Sequence, residues 1–286
     1  MLEKEIDNLN HEILNDSEIK RKRGLLIYPS TRPINRVLEF CSSRYINGIT
    51  GNTEGVLELL RGIGLKPVNG KYKSLIELDD DEMSRLVTAI MLTDSKSVNK
   101  EIVGDIFLVK MFNKIEDARE LSAMINACSR LGKSHIAVQF CMEISKAKKI
   151  AESLYIKYRQ LIVSGLKFVA ETEKIEGNGF VIINAKKEIK DTIIGTIASI
   201  ISNSSLYEKG TVITTMAHYE DKIKISSRNV GKTGRNVREI LNNVIKIVGG
   251  DVGGHEFAAG CLIASDKEQE FIDNLRKNLE IELVKI

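Results

Sequence analysis

Residues 249–260 read GGDVGGHEFAAG, and they follow the basic stretch KIKISSRNVGKTGRN at residues 222–236. Five of the twelve residues in the first stretch are glycines and one is His255, although the chain has only 21 glycines and 4 histidines. This concentration predicts either a tight structural turn or a loop whose backbone N–H groups bind an anion. The interpretation of the whole chain depends on these two stretches.

The basic stretch begins with a predicted strand that has one cationic face. Alternation along this strand places four polar side chains on one side: Lys222, Lys224, Ser226 and Arg228. A glycine-containing turn with Lys232 and Arg235 follows, and a helix begins near Asn236. Cationic side chains, free backbone amides and a helix N-terminus together favour phosphate. The alternative is a solvated cationic edge strand, which deters pairing with other sheets.

In the glycine-rich stretch, Gly249 and Gly250 are expected to end the preceding helix. The second glycine pair lets the backbone approach a ligand without an intervening side chain. His255 either donates to a phosphate oxygen or forms a hydrogen bond with a nearby carbonyl. The candidate nucleic-acid-binding residues are Ser226, Arg228, Lys232, Arg235, Asn236, Gly253, Gly254 and His255.

Composition limits the function only loosely. The 286 residues are 43% hydrophobic and 28% charged, enough for one or two packed domains. A net charge of +3 does not by itself indicate a nucleic-acid partner. The four cysteines contain no CxxC pair, which favours small core residues over metal ligands or disulfides. No apolar run is long enough for a membrane span, so we expect a cytoplasmic protein without a membrane partner.

Hydrophobic periodicity divides the chain into a mainly helical part and a C-terminal α/β domain. Residues 1–23 predict an amphipathic helix that ends in the basic run Lys20 to Arg23. Residues 24–144 predict a mostly helical region with a short strand at Leu25 to Tyr28, and residues 145–173 a long connector helix. Strands and helices alternate over residues 174–286, which predicts an α/β domain with a mixed sheet.

Three consecutive acids, Asp79, Asp80 and Asp81, stand at the start of a predicted helix. They fit the N-cap and first turn, where carboxylates accept hydrogen bonds from free amides and oppose the helix dipole. A metal site is the alternative. We expect this chain to hold no metal and no cofactor.

The pairing of KISSRNVGKTGRNVREILNNV with GGDVGGHEFAAG resembles the C-terminal, DHH-associated domain of the DHH phosphoesterase superfamily. The hallmark of that domain is an SxR strand followed, after a helix, by a GGGH-xx-AAG loop. Further stretches resemble the archaeal form of the RecJ branch: GITGNTEGVLELLRGIGL (48–65), EDARELSAMINACSRLGKSHIAVQFC (116–141) and DTIIGTIASIISNS (191–204). The resemblance implies that residues 174–286 bind single-stranded nucleic acid.

Active members of this superfamily hold two metal ions with paired aspartates and an Asp-His-His triplet. This sequence has no such triplet, and His11 is its only histidine before residue 100. The resemblance therefore implies a protein without nuclease activity. Archaeal RecJ-like proteins of this kind associate with the GINS complex and the MCM helicase, and they are counterparts of the eukaryotic cell-division-cycle protein that activates the replicative helicase.

Three functions are compatible with the sequence. The first is a non-catalytic, nucleoid-associated replication factor that joins GINS to MCM and binds single-stranded DNA weakly or with the help of partners. The second is a RecJ-type single-strand nuclease or oligonucleotide phosphoesterase that needs a separate catalytic half. The third is a structural scaffold that no longer binds DNA. Aromatic residues make up only 5% of the chain, so few side chains are available to stack on bases.

Overall fold

The computed structural model of the chain describes residues 19–41, 46, 48–93, 102–204 and 206–281. It divides into two compact units: an N-terminal unit within residues 1–129 and 133–152, and a C-terminal unit within residues 130–132 and 153–286. The predicted fold class is confirmed, because helices and strands are mixed and the C-terminal region contains a mixed six-stranded sheet. No helix in the described ranges is long and apolar enough to cross a membrane.

The N-terminal unit contains a three-stranded antiparallel sheet in the order β1-β2-β3, together with several helices. Its core includes Leu25, Ile34, Leu60 and Leu86, all fully buried. The elements are β1 (Lys20–Leu25), α1 (Ile34–Glu39), α2 (Thr53–Gly62), α3 (Asp80–Thr93), β2 (Val103–Met111), β3 (Lys114–Asp117), α4 (Ala118–Arg130) and α5 (Ser134–Cys141). Arg130, at the end of α4, already belongs to the C-terminal unit.

The start of the described chain differs from the prediction. Residues 1–18 of the predicted amphipathic helix lie outside the described residues. Lys20 to Arg23, predicted as the last turn of that helix, instead pair with β2 as part of edge strand β1. The amine of Lys22 donates to the carbonyl of Ile76 at 2.9 Å, which holds this basic run in the extended form. The strand predicted at Leu25 to Tyr28 is therefore displaced toward the N-terminus.

The acids at residues 79–81 mark a helix start, as the sequence predicts. The N–H of Glu82 donates to Oδ1 of Asp79 at 2.8 Å, and the N–H of Asp79 donates to Oε2 of Glu82 at 3.0 Å. This reciprocal pair satisfies two backbone amides at the N-terminus of α3.

The C-terminal unit is built on a sheet in the order β4-β5-β6-β7-β9-β8. Strands β5 and β6 run parallel, joined through helix α7, and the other neighbours are antiparallel. The long helix α6 begins in the N-terminal unit and continues into this one. The elements are α6 (Ser145–Glu171), β4 (Ile175–Gly177), β5 (Phe180–Asn184), α7 (Asp191–Ser202), β6 (Val212–Tyr219), β7 (Lys222–Asn229), α8 (Val237–Val248), β8 (Asp251–His255), β9 (Ala258–Ala264) and α9 (Glu268–Ile281).

The two faces of this sheet are covered differently. Helices α8 and α9 pack on one face through a buried cluster that includes Ile225, Leu241 and Phe271. Helix α7 packs on the other face against β6 and β7. Strands β9 and β8 extend beyond α7, and most residues of β8 are exposed. An open shelf therefore remains beside α7.

The glycine-rich stretch is a β-hairpin rather than the loop that the sequence predicts. Gly249 ends helix α8 with φ 85°, as expected, and β8 then pairs antiparallel with β9. Glu256 and Phe257 form the connection between the strands. A two-residue connection is the common link between antiparallel strands, and glycine permits the close backbone approach along β8. The predicted cradle is thus an edge of the sheet.

Candidate nucleic-acid interface

The register of three strands brings distant residues onto one surface. Arg228 of β7 lies opposite Ala258 of β9, which lies opposite His255 of β8. The next row contains Ser226, Gly260 and Gly253, and the row after it contains Lys224, Leu262 and Asp251. Residues opposite one another in antiparallel strands share a face. The structure therefore places four of the predicted residues together: Ser226, Arg228, Gly253 and His255.

A groove of about 510 Å³ lies between helix α7 and this surface. Helix α7 contributes Gly195, Thr196 and Ser199, and the end of α4 contributes Arg130. The floor is mainly backbone, because the strands supply glycines and alanines there. The charged residues that line this binding groove are Arg130, Lys224 and Arg228, and none of its described lining residues is acidic. The groove is suited to an anion.

Arg228 is held at the centre of the binding groove by three protein acceptors. Its Nε donates to the hydroxyl of Ser199 at 3.2 Å. Its Nη1 donates to the carbonyls of Ser227 at 2.8 Å and Ala259 at 3.1 Å. The other amino group, Nη2, donates to no atom of the described residues. A fixed guanidinium with one amino group available can bind an anion without first losing side-chain freedom.

The electrostatics of the binding groove favour an anionic ligand. Burial, followed by the positive charge of Arg130, lowers the pKa of the Arg228 guanidinium. Arg130 donates from Nη1 to the carbonyl of Thr192 at 3.4 Å. Within the described ranges neither arginine forms an ion pair with a carboxylate, and Lys224 lies 4.0 Å from Asp191. A bound phosphate would offset the repulsion between the two arginines.

The two neighbouring glycines of the hairpin have different roles. A Cβ on Gly254 would lie 2.4 Å from the carbonyl oxygen of Ala258, and its φ is +125°. The fold therefore requires glycine at residue 254. A Cβ on Gly253 would meet nothing within 4 Å. Glycine at residue 253 is not needed for packing, and the space it leaves lies on the groove floor.

Four predicted residues do not line the binding groove, and one of them is His255, which is exposed at the end of β8. Arg235 is buried and donates from Nη2 to the carbonyl of Asn178 at 3.0 Å, so it supports the chain rather than lining the open surface. Asn236 is the N-cap of α8, where its side chain accepts from the N–H of Glu239 at 3.1 Å. Lys232 is exposed in the turn after β7 but does not line the groove. Local cap and turn geometry accounts for these residues.

Other residues of the binding groove were not among the predicted site residues. Arg130 and Ser199 lie far from residues 222–260 in the sequence, and only the packing of α7 and the end of α4 brings them to β7. The sequence could have indicated both residues, because Arg130 lies within the stretch 116–141 and Ser199 within 191–204, and both stretches resemble RecJ-branch motifs.

Two family models match separate parts of the chain. The DHHA1 domain matches residues 177–280, which include every strand of the binding groove. The DHH-CID domain matches residues 27–104. Neither match alone spans half of the chain. Among the described residues, no group of three His, Cys, Asp or Glu side chains could hold a metal ion.

Known proteins resemble this chain over different lengths. An uncharacterised protein of Methanocaldococcus jannaschii is 28% identical over 239 residues, which are 84% of this chain and 50% of that protein. The chain thus spans about half the length of this curated relative. CDC45 from Entamoeba histolytica shares the fold with a TM-score of 0.55 at 10% identity, over 93% of this chain and 59% of that one. RecJ from Thermus thermophilus gives a TM-score of 0.45 at 14% identity, over 77% of this chain and 33% of that one.

Proposed function

We propose that this chain is a non-catalytic, RecJ-like replication factor that binds single-stranded DNA in the binding groove. The observation that carries the proposal is the fixed Arg228 guanidinium beside Arg130, with no carboxylate partner in the described residues and a glycine floor next to it. Backbone phosphates supply the missing negative charge, and a shallow floor of small residues accepts a strand of any sequence.

The proposed partners are the GINS complex and, through it, the MCM helicase. This part rests on the motifs that resemble archaeal RecJ-like proteins and on a fold shared with CDC45 over most of the chain. Among the alternatives, the scaffold predicts partner binding without DNA binding, and the nuclease predicts cleavage when a catalytic half is supplied. Co-purification from the native cell, followed by mass spectrometry of the captured proteins, tests the partners. Absence of GINS subunits from the captured proteins would contradict them.

The DNA-binding part is tested by replacing Arg228 with alanine. We expect Arg228→Ala to weaken binding of a fluorescent single-stranded oligonucleotide by about 10- to 100-fold, because a charge-assisted hydrogen bond contributes about 1.5–3 kcal/mol. The slope of log K against log salt should fall in magnitude by about 0.7 if one phosphate contact is lost. Fluorescence anisotropy at several salt concentrations measures both quantities.

Arg238→Ala is the matched control. Arg238 is exposed on α8, which packs on the opposite face of the sheet, so the same loss of charge should change affinity less than twofold. Equal losses in the two variants would show that binding follows net charge and not the groove. Cleavage of a labelled oligonucleotide by the purified chain with manganese would contradict the non-catalytic part.

A further inference from the structure

The binding groove continues into a second cavity of about 810 Å³ with the opposite charge. The two cavities share Lys224, Ile225, Gly253 and Gly260, so they form one continuous groove. Four carboxylates line the second cavity, and we call them the acidic end: Asp191, Glu220, Asp221 and Asp251. Lys222 and Lys224 are the cations there, which leaves the acidic end with more negative than positive groups.

The sheet register fixes the direction of this change in charge. Arg228 and His255 share one row, whereas Lys224 and Asp251 share a row four residues earlier along β7. Glu220 and Asp221 form the turn before β7 begins at Lys222. From Arg228 to Lys222 is six residues along the strand, about 20 Å. A strand of nucleic acid lying along β7 would pass from two arginines to four carboxylates within this distance.

The carboxylates of the acidic end are only partly neutralised. Asp191 lies 4.0 Å from the amine of Lys224, and Asp221 and Asp251 form no ion pair within the described ranges. No group of three potential metal ligands is found in the described part of the chain that could recruit a cation there. Phosphates placed at this end would lie within a Debye length, about 8 Å, of several negative charges and would be repelled.

The acidic end nevertheless has groups that suit an uncharged nucleoside. Tyr219 lines the same cavity with 53% of its surface exposed, and an exposed ring can stack on a base. Carboxylates accept hydrogen bonds from sugar hydroxyls, which carry no charge. The acidic end is therefore compatible with a base and a hydroxyl, but not with a phosphate.

We infer that the groove accepts a free, hydroxyl-bearing end of a single strand rather than the interior of a strand. This inference rests on the proposed DNA-binding function of the same groove. The last phosphates lie at Arg130 and Arg228, and the terminal sugar and base extend along β7 toward the row of Lys224 and Asp251, where the terminal hydroxyl faces the carboxylates. The acidic end stops the sugar–phosphate backbone from continuing along β7.

The test compares three ligands of one sequence by competition anisotropy: a linear oligonucleotide with hydroxyls at both ends, the same strand with phosphates at both ends, and a covalently closed circle. We expect the hydroxyl-ended strand to bind at least about tenfold more tightly than either of the others, a difference equal to about 1.4 kcal/mol. In the double variant Asp221→Asn/Asp251→Asn, the circle and the phosphate-ended strand should bind more tightly than they bind the wild type. The hydroxyl-ended strand should then bind at most about threefold more tightly than either of them.

A double variant on α9, Asp273→Asn/Glu280→Gln, is the matched control. Both residues are exposed on a helix that packs on the other face of the sheet, so the same change in charge should leave the difference between ligands unaltered. Equal binding of all three ligands by the wild-type chain would overturn the inference while leaving the proposed function intact. Failure of every ligand to bind, even at low salt, would instead overturn the proposed function.

Discussion

Two half-buried arginines of this chain have opposite surroundings. In the N-terminal unit, Arg119 donates from Nη2 to Oδ2 of Asp117 at 2.6 Å and from Nε to Oδ1 at 3.0 Å. Asp117 is completely buried, and it also accepts from the N–H of Ser30 at 3.0 Å. In the C-terminal unit, Arg228 has carbonyls and a hydroxyl as acceptors but no carboxylate.

The difference separates an arginine that serves the fold from one that is available to a ligand. The charge of Arg119 is neutralised within the chain, so no anion is needed there. The charge of Arg228 is held in place but not neutralised, and Arg130 adds to it. Burial of an arginine alone does not mark a binding site; the identity of its acceptors does.

The largest expected effect comes from removing each arginine in turn. Arg119→Met should lower the free energy of unfolding by about 3–5 kcal/mol, because it leaves the buried Asp117 carboxylate unpaired. Arg228→Met should cost less than about 1.5 kcal/mol, since it removes neutral hydrogen bonds and also relieves repulsion by Arg130. Urea unfolding followed by circular dichroism measures both values.

Arg21→Gln is the control for this pair. Arg21 forms an ion pair with Asp105 at 2.9 Å, but 62% of its side chain is exposed, so its loss should cost less than about 1 kcal/mol. If Arg228→Met were as damaging as Arg119→Met, the contrast between the two arginines would be wrong.

The adjacent glycines extend the comparison to the hairpin. Gly254→Val should destabilise the chain by about 2–4 kcal/mol, because its Cβ would collide with backbone atoms at a positive φ. Gly253→Val should change stability by less than about 0.5 kcal/mol but weaken DNA binding about tenfold. Thermal unfolding and anisotropy of both variants check this. A stable Gly254→Val protein would contradict the structural role of that glycine.

The Asp117–Arg119 pair also predicts a dependence of stability on pH. Burial opposes ionisation of Asp117, but the hydrogen bonds and charge of Arg119 outweigh it, so the pKa of Asp117 lies below its ordinary value. The stability contributed by this group is present above about pH 3.9, the ordinary aspartate pKa, and is lost as the pH falls further. Between pH 5 and pH 2.5, the wild type should therefore lose more stability than Asp117→Asn. Parallel urea midpoints for the two proteins over this range would exclude the effect.

The smallest expected effect is at Asn236, which the sequence assigned to the nucleic-acid site. Because Asn236 caps α8, Asn236→Ala should cost about 1 kcal/mol of stability. Its affinity for single-stranded DNA should equal that of the wild type, since the residue does not line the binding groove. A clear loss of affinity for single-stranded DNA without a loss of stability would show that Asn236 belongs to the nucleic-acid site.

The sequence predicted those features that depend on local patterns. Period-2 alternation placed Lys224, Ser226 and Arg228 on one face of β7, and the acids at 79–81 indicated the start of α3. It did not predict the β-hairpin at residues 251–264, because pairing of a glycine-rich segment depends on a partner strand rather than on its own propensity.

Local sequence patterns also could not predict the hydrogen-bond acceptors of each arginine. Arg228 and Arg235 look alike in the sequence, yet one reaches the groove and the other turns to the carbonyl of Asn178. Arg130 joins Arg228 only through packing of elements about a hundred residues apart. A pattern of charges identifies candidates, but the buried acceptors near each side chain decide its role.

Gly253 and Gly254 are adjacent and identical, but different requirements act on them: the fold requires glycine at residue 254, and ligand binding favours it at residue 253. In a library randomised at both positions, selection for folding alone would recover glycine at 254 and many residues at 253. Selection for ligand retention would recover glycine at both. The range of residues tolerated at residue 253 would thus reflect the requirement for ligand binding. The range tolerated at residue 254 would reflect the requirement of the fold.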